Sequence, residues 1–326
     1  MSVLDAIVSV GVESTYGTPV APTRSFEAQA DPINTRREML TSVGIRSGME
    51  ATLSGRARMI NMGGDGSLEF DVLTKGAGMI LKGLLGGSAG PTQQAATAAY
   101  LQTYTSVPDG PTQSWTIQVV RPYVATDTVQ QFTAHGCMAT GWTLSQSNDG
   151  FAKLKVDFDA EDVDISTGAA AATSPAGAVP FDWTQCAVSI GGSAFDPVTS
   201  FGVSADLAMK TDRRYLRGSA LKKQPVRMGV PAYSGSLQAD WDTITRYNEF
   251  VAGTVVTNLI VTWTGSLIAS TYYDTLKVTI PAVMWTGEDP KASITEVSTQ
   301  ALPFVALDDL TNPVMTIEYT STDTAI

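Results

Sequence analysis

DGSLEFD, at residues 65–71, is answered by SGSLQAD at residues 234–240, a little over half of the 326-residue chain later. In the first copy Ser67, Glu69 and Asp71 share one face of an extended chain, and Leu68, Phe70 and Val72 share the other. In the second, Ser236, Gln238 and Asp240 oppose Leu237, Ala239 and Trp241. One wet face and one dry face mark a strand of an antiparallel sheet that covers a core. The register is fixed by the same alternation, because a slip of one residue would put Phe70 and Trp241 in water.

The match extends in both directions. Upstream, TRREML (35–40) stands against DRRYL (212–216), each after a strand-like run, SFEAQA (25–30) and SFGVSADLAM (200–209). Downstream, DVLTKGAGMILKGLLGG (71–87) stands against DWDTITRYNEFVAG (240–253). Ala77, Ile80, Leu81 and Leu84 have helical spacing in the first, as do Ile244, Tyr247 and Val251 in the second. Thr74, and Asp242 or Thr243, are candidate caps for the helix starts, and Gly86 and Gly253 suit the ends. Strand candidates SWTIQVV (114–120) and VVTNLIVTW (255–263) follow. The last third aligns more loosely, 136–162 with 281–309. A long-period repeat dictates architecture. The fold class is mainly β: two tandem antiparallel β-sandwich or barrel units, each with one short α-helix. The boundaries read as an N-terminal arm at 1–24, a first unit at 25–165, a linker at 166–180 and a second unit at 181–326. The linker STGAAAATSPAGAVP carries neither charge nor aromatic. GGSAGPTQQAATAA (86–99) reads as an exposed loop.

Composition narrows the function classes. Only 16 % of residues are charged, and the formal net charge of −11 disfavours generic attraction to nucleic-acid phosphates. Cys137 and Cys186 lack metal-type spacing and read as free thiols, so a reducing compartment is expected. The N-terminus has no basic segment or cleavage pattern of a secretion signal. The apolar run GAGMILKGLLGG is too short to span a bilayer and contains Lys82. The expectation is a soluble chain without a membrane partner.

Candidates for chemistry fall away in turn. His135 lies two residues from Cys137, but no third member accompanies a Cys–His pair, and a strand with a small buried thiol is the better account. The run Asp157, Asp159, Glu161, Asp162 and Asp164 lacks the glycine and the glutamate of a calcium loop, and reads as a solvated, charged strand edge. No Walker loop, dinucleotide fingerprint, zinc spacing or serine elbow occurs. The expectation is no enzyme, no catalytic or metal-binding residue and no cofactor. The basic pairs recur: Arg36–Arg37 before GIRSGMEATLSGRARM (44–59, with Arg46), and Arg213–Arg214 before RGSALKKQPVRM (217–228, with Lys222 and Lys223). These loops are either solvated hairpins or a partner surface on an otherwise acidic protein.

GVESTYGTPVAPTRSFEAQ (11–29), with Gly11, Glu13, Tyr16, Gly17 and Thr18, resembles the opening of the major tail tube proteins of long, non-contractile-tailed bacteriophages. The arginines, the DGSLEFD strand and the glycine-bounded helix carry the resemblance through the first half, and the G-S-L before a helix carries it into the second. At DLAMKTD (206–212) the chain departs from the family pattern. The resemblance implies a virion protein, assembled in the host bacterial cytoplasm, that forms stacked rings around a channel for DNA. An inner sheet from each fold would join a continuous wall, and a long hairpin would reach the next ring. A tape measure protein and a tail terminator are the implied partners, and DNA would pass without specific binding.

Two consequences are specific. Arg36, Arg37, Arg46, Arg213, Arg214, Lys222 and Lys223 are expected to make inter-ring loop contacts. Ser67, Glu69, Asp71, Ser236, Gln238 and Asp240 are expected to face the lumen, where carboxylates would repel phosphate. A duplicated chain closes a six-fold ring from three copies, and six copies are needed if the second half is an ordinary extension. The rival reading from another class is a β-sandwich surface module for a glycan or receptor. It calls for aromatics in loops, whereas Trp115, Trp142, Trp241, Trp263 and Trp285 fall in strand-like runs.

Overall fold

The computed structural model describes residues 6–123, 128–167, 172–287, 289–290 and 297–326. In the first half the strands are β1 (Ile7–Val12), β2 (Arg24–Phe26), β3 (Ile33–Thr41) and β4 (Ala57–Asp71). Helix α1 (Gly78–Leu85) leads into β5 (Gly86–Gln93), β6 (Tyr100–Ser106) and β7 (Trp115–Pro122). The half ends with β8 (Val129–Ser147), β9 (Lys153–Ala160) and β10 (Asp162–Thr167). The second half opens with β11 (Cys186–Ile190), β12 (Ser193–Ala194), β13 (Val198–Asp206), β14 (Met209–Lys210) and β15 (Val226–Arg227). It continues with β16 (Ala232–Asp240), α2 (Thr245–Ala252), β17 (Val255–Ala269), β18 (Tyr272–Trp285), β19 (Thr299–Ala306) and β20 (Thr316–Ser321). The chain is mainly β and every ladder between these strands is antiparallel. The sheets are open: within one chain none closes into a barrel.

The halves are superposable in register. Gly66 pairs with Ile33 on one side and Phe158 on the other, and Gly235 pairs with Val203 and Phe304. Met138-Ala139-Thr140-Gly141 in β8 likewise corresponds to Met284-Trp285-Thr286-Gly287 at the end of β18, since Ala139 opposes Phe158 and Trp285 opposes Phe304. Thus β3, β4, β8 and β9 of the first half answer to β13, β16, β18 and β19 of the second.

Two strands belong to two layers at once. The N-terminal part of β8 pairs with β7 and β10, and its C-terminal part with β9 and β13. The bend comes at Gly136, whose φ of +62° favours glycine. In the second half β18 does the same, pairing with β17 and β20 and then with β19. Because β8 pairs with β13, the inner layers of both halves fuse into one sheet, β3–β4–β9–β8–β13–β16–β19–β18. A single hydrophobic cluster fills the space behind it, with Trp115, Trp142, Trp263 and Trp285 buried in it.

Several local readings change. Thr74 and Asp242 or Thr243 do not cap the helices: the cap positions are Ala77 and Ile244, and no side chain bonds there. Thr74 instead accepts the Val179 amide at 3.2 Å and holds the segment between the halves. Gly86 and Gly253 do end the helices, at φ of 92° and 62°. Residues 86–93, expected as a loop, form β5, because β6 supplies the ladder partner that their small side chains do not announce. Helix α1 is buried by this hairpin and by Trp115, against which a Cβ at Gly83 would lie at 2.0 Å. Among the described residues the second half has no such hairpin, and α2 buries no residue and leaves Ile244 and Val251 exposed. Trp241 lies outside its strand, half-buried, with its ring edge on Tyr247.

Gly66 and Gly235 are each roofed by a cross-strand phenylalanine. A Cβ at Gly66 would sit 1.6 Å from the Pro32 carbonyl oxygen and 2.8 Å from the Phe158 ring, and one at Gly235 2.3 Å from the Gly202 oxygen and 2.5 Å from Phe304. Gly202 meets nothing within 4 Å. Gly66→Ala and Gly235→Ala should therefore each cost about 2–3 kcal/mol in urea unfolding, whereas Gly202→Ala should stay within about 0.5 kcal/mol of wild type.

Candidate functional site

The ladders assemble the six residues expected on the channel wall onto one face of one sheet. Antiparallel partners point to the same side, so rows can be followed strand by strand. One polar row runs Glu69, Lys155, Thr143, Ser204, Ser234, and the next runs Asp71, Lys153, Ser145, Gly202, Ser236. Ser67 pairs with Asp157, Gln238 with Ser200, and Asp240 with Thr299. The row between them on the other face is Phe70, Leu154, Leu144, Val203, all buried. The period-two reading thus holds for residues 67–72 and 234–240, with Trp241 outside it and bulges at Val198/Ser200 and Ala139/Gly141 in the partner strands.

The charge on this face is not purely acidic. Lys155 and Lys153 stand directly opposite Glu69 and Asp71. Gln29 donates to Asp71 at 3.2 Å and accepts from Lys153 at 3.4 Å, knitting the charges together. Toward the second half the face carries mainly hydroxyls and amides, with the carboxylates of Asp206 and Asp240. The Ser67 hydroxyl is screened from solvent and has no partner among the described residues.

The basic residues fall into two groups, and the two arginine pairs are not equivalent. In register with Gly66 and Gly235, Arg36 answers to Asp206, while Arg213 and Arg214 lie farther on, in the loop between β14 and β15. Proximity in sequence suggested an equivalence that the ladder denies. Four of the cations converge on Met62–Asp65 of β4. Arg36 pairs with Asp65 through both nitrogens, and Arg37 pairs with Asp162 at 2.6 Å and donates to the Gly63 carbonyl at 3.2 Å. Arg214 donates to the Met62 carbonyl at 2.9 Å. Lys222 pairs with Asp159 at 2.5 Å, and both are buried. Arg213 closes its own loop on the Gln224 carbonyl at 2.6 Å. Arg46, Arg214 and Lys223 stand exposed without a carboxylate partner among the described residues, and Arg214 is tied to carbonyls.

Asp159 was expected on a solvated edge and is instead inside. Burial raises its pKa, against the opposing pull of Lys222. Nothing near it in sequence signalled this, because its cation arrives from the other half of the chain. Removing one partner of a buried pair leaves the other charged and dry. Lys222→Met should therefore destabilise by about 3–5 kcal/mol, and the double variant Asp159→Leu/Lys222→Met should recover most of that in chemical denaturation.

Next to this knot lies the feature that carried the N-terminal motif. Glu13 is buried and accepts four hydrogen bonds: from Ser114 Oγ at 2.7 Å, Thr116 Oγ1 at 2.9 Å, and the amides of Gly136 at 2.8 Å and Gly17 at 3.0 Å. The Tyr16 ring packs on Gly136, where a Cβ would lie 3.1 Å from it, and burial raises the phenol's pKa. Residues expected as an arm thus pin β8 where it bends. Its motif residues mark structure: Glu13 is satisfied by groups about 100 positions away.

Among the described residues the candidate groups do not assemble into a reactive constellation. Burial drives the Cys137 thiol pKa well up, away from thiolate. His135 lies 3.3 Å from Asp164 and 4.0 Å from Glu161. His135, Asp162 and Asp164 could offer ligand atoms within 4.8 Å of one another, but the Arg37 guanidinium already neutralises Asp162. Among the described residues no helix is long and apolar enough to cross a membrane.

The described residues thus form a fused β sheet with one polar face and projecting loops. The family model for phage tail tube proteins matches residues 4–306, and the chain belongs to that family. Its role is that of a structural component of the phage virion's tail tube. Curated protein sequences gave no match.

Proposed function

We propose that this chain polymerises into stacked rings whose lumen is lined by the polar face of the inner sheet and passes the phage DNA. Three chains form a ring, because each brings two tube units side by side. The observation that carries this reading is the β8–β13 ladder, which makes two repeats one continuous sheet while leaving a strand edge free at β3. A sheet that already grows by adding whole units within the chain can grow the same way between chains. Rings stack through the end that carries the β3–β4 hairpin and the β14–β15 loop. The ladder order makes β3 and β13 run in the same direction, so both loops leave the sheet at that end. Arg46 and Lys223 present charge there to acidic surfaces of the next ring, and the other five cations hold the loops in shape.

The lumen chemistry follows from the rows. Lysines on the face are each opposed by a carboxylate, and the rest is hydroxyl, amide and further carboxylates (Asp157, Asp206 and Asp240), so phosphate finds no sustained positive track. The chain's net charge of −11 adds weak repulsion. Concentrated protein should show hollow tubes in negative stain. Changing Glu69, Asp71 and Asp240 together to lysine should leave tubes of normal diameter, while phage carrying the variant eject their genome more slowly. Ejection at the wild-type rate would contradict the lumen assignment, and protein that stays globular at every concentration would contradict the tube.

A further inference from the structure

The chain contains one junction between tube units, and its two halves are in register, so the junction between copies is written into it. Inside the chain, β13 lies along the C-terminal part of β8: Asp206 is opposite Gly141, and the Leu207 amide donates to the Thr140 carbonyl at 3.0 Å. In register, Asp206 and Leu207 answer to Arg36 and Arg37, while Thr140 and Gly141 answer to Thr286 and Gly287. The β3 side is ready for this. The Ser67 amide donates to the Pro32 carbonyl at 3.2 Å, which sets the phase of the β3–β4 ladder. Arg36 then bonds toward β4, and Thr35 and Arg37 turn their amides to the free edge. The Ile33 carbonyl on that edge is occupied by Arg121 at 2.9 Å, which limits the free stretch to the residues after it.

The loops repeat the pattern with a change of chemistry. Within the chain, the 211–225 loop between β14 and β15 lies over the first unit, and its cations meet Asp159 and the carbonyl of Met62. The corresponding hairpin, residues 42–56, is apolar at two places where the loop is polar. Val43 and Ile45 stand at the places of Arg213 and Tyr215, and Ile45 is fully exposed. The corresponding place on the second unit is largely apolar. Val305 answers to Asp159, and beside it opens a cavity of about 460 Å³ lined by Val107, Val230, Pro231, Tyr233 and Pro313, with Arg227 and Asp308 also on its wall. Val230 is 92 % exposed. Exposed apolar surface on both sides marks an interaction site.

We infer that a second copy of this chain occupies both surfaces: β3 of one copy adds to the Thr286–Gly287 end of β18 in the next, with Arg36 opposite Gly287. The Arg37 amide then donates to the Thr286 carbonyl, and the 42–56 hairpin lies over the largely apolar cavity of that neighbour. The in-chain junction is an ionic version and the copy-to-copy junction an apolar version of the same contact. This rests on the proposed ring, and it fixes which residues meet there.

The test is a cysteine pair, Arg36→Cys with Gly287→Cys, placed at a non-hydrogen-bonded pair where the Cα atoms approach to about 4.5 Å, within disulfide reach. Gly141→Cys with Asp206→Cys is the internal control and should close a bond within one chain. On mild oxidation with glutathione disulfide, the first pair should give covalent multimers on a non-reducing gel, and neither single variant should. Tubes in the microscope without that cross-link overturn the proposed register and leave the tube intact. No association in any form overturns both. Because Val43 and Ile45 are exposed, Val43→Asp with Ile45→Asp should fold normally yet fail to associate at concentrations where wild type does. Unchanged association would overturn the hairpin's place in the cavity.

Discussion

The architecture depends on one strand that changes sheets. The 19 residues of β8 must leave the outer layer and enter the inner one without losing backbone hydrogen bonds. Gly136 makes the bend by taking a positive φ, and the Glu13 carboxylate receives the amide that the bend leaves over. Beyond the bend, the strand offers one edge to β9 and the other to β13, and the second half of the molecule follows from that second edge. The β18 strand makes the same passage with Pro281 and Ala282 at the corresponding place, and no carboxylate clamp is needed because its chain does not turn through a left-handed residue there.

A sheet built this way has a consequence for charge. Its dry face is continuous across both halves, so every residue facing the other way is committed to a single polar surface, whatever that surface contacts. Lysine and carboxylate face each other there in the first half, and serine, threonine and glutamine predominate in the second beside Asp206 and Asp240. The strong charges are moved to the top of β4, where buried Lys222 and Asp159 tie the second half's loop to the first half. That pair adds specificity of docking more than stability, since an apolar pair of similar size would hold as well.

Much of this was legible from residue pattern alone. The alternation in DGSLEFD and SGSLQAD predicts which side chains share a face, and the ladders agree through six strands. What was not legible had long-range causes. Strand β5 is drawn into a sheet by β6, and nothing in GGSAGPTQQ alternates. The helix α2 has the spacing of a buried helix but lacks the hairpin that would bury it. Asp159 looks like any carboxylate of an acidic run until Lys222 arrives from 63 positions away. The recurrence of arginine pairs was real in sequence and accidental in space, because a loop can shift a motif by a turn's length while a ladder cannot shift by one residue without inverting its faces. The tail-tube resemblance singled out Glu13 and Tyr16 as motif residues of an arm, and only their contacts show that they brace a bend.

The central claim is that the two halves are equivalent units of one ring wall. The direct measurement is a reconstruction of the assembled tube from electron cryomicroscopy, with the chains per ring counted. The account predicts three chains whose six inner sheets form one wall, with neighbouring units related by nearly the same rotation whether the boundary lies within a chain or between chains. Six chains per ring, or an assembled wall that turns the Glu69 and Ser236 face outward, would contradict it.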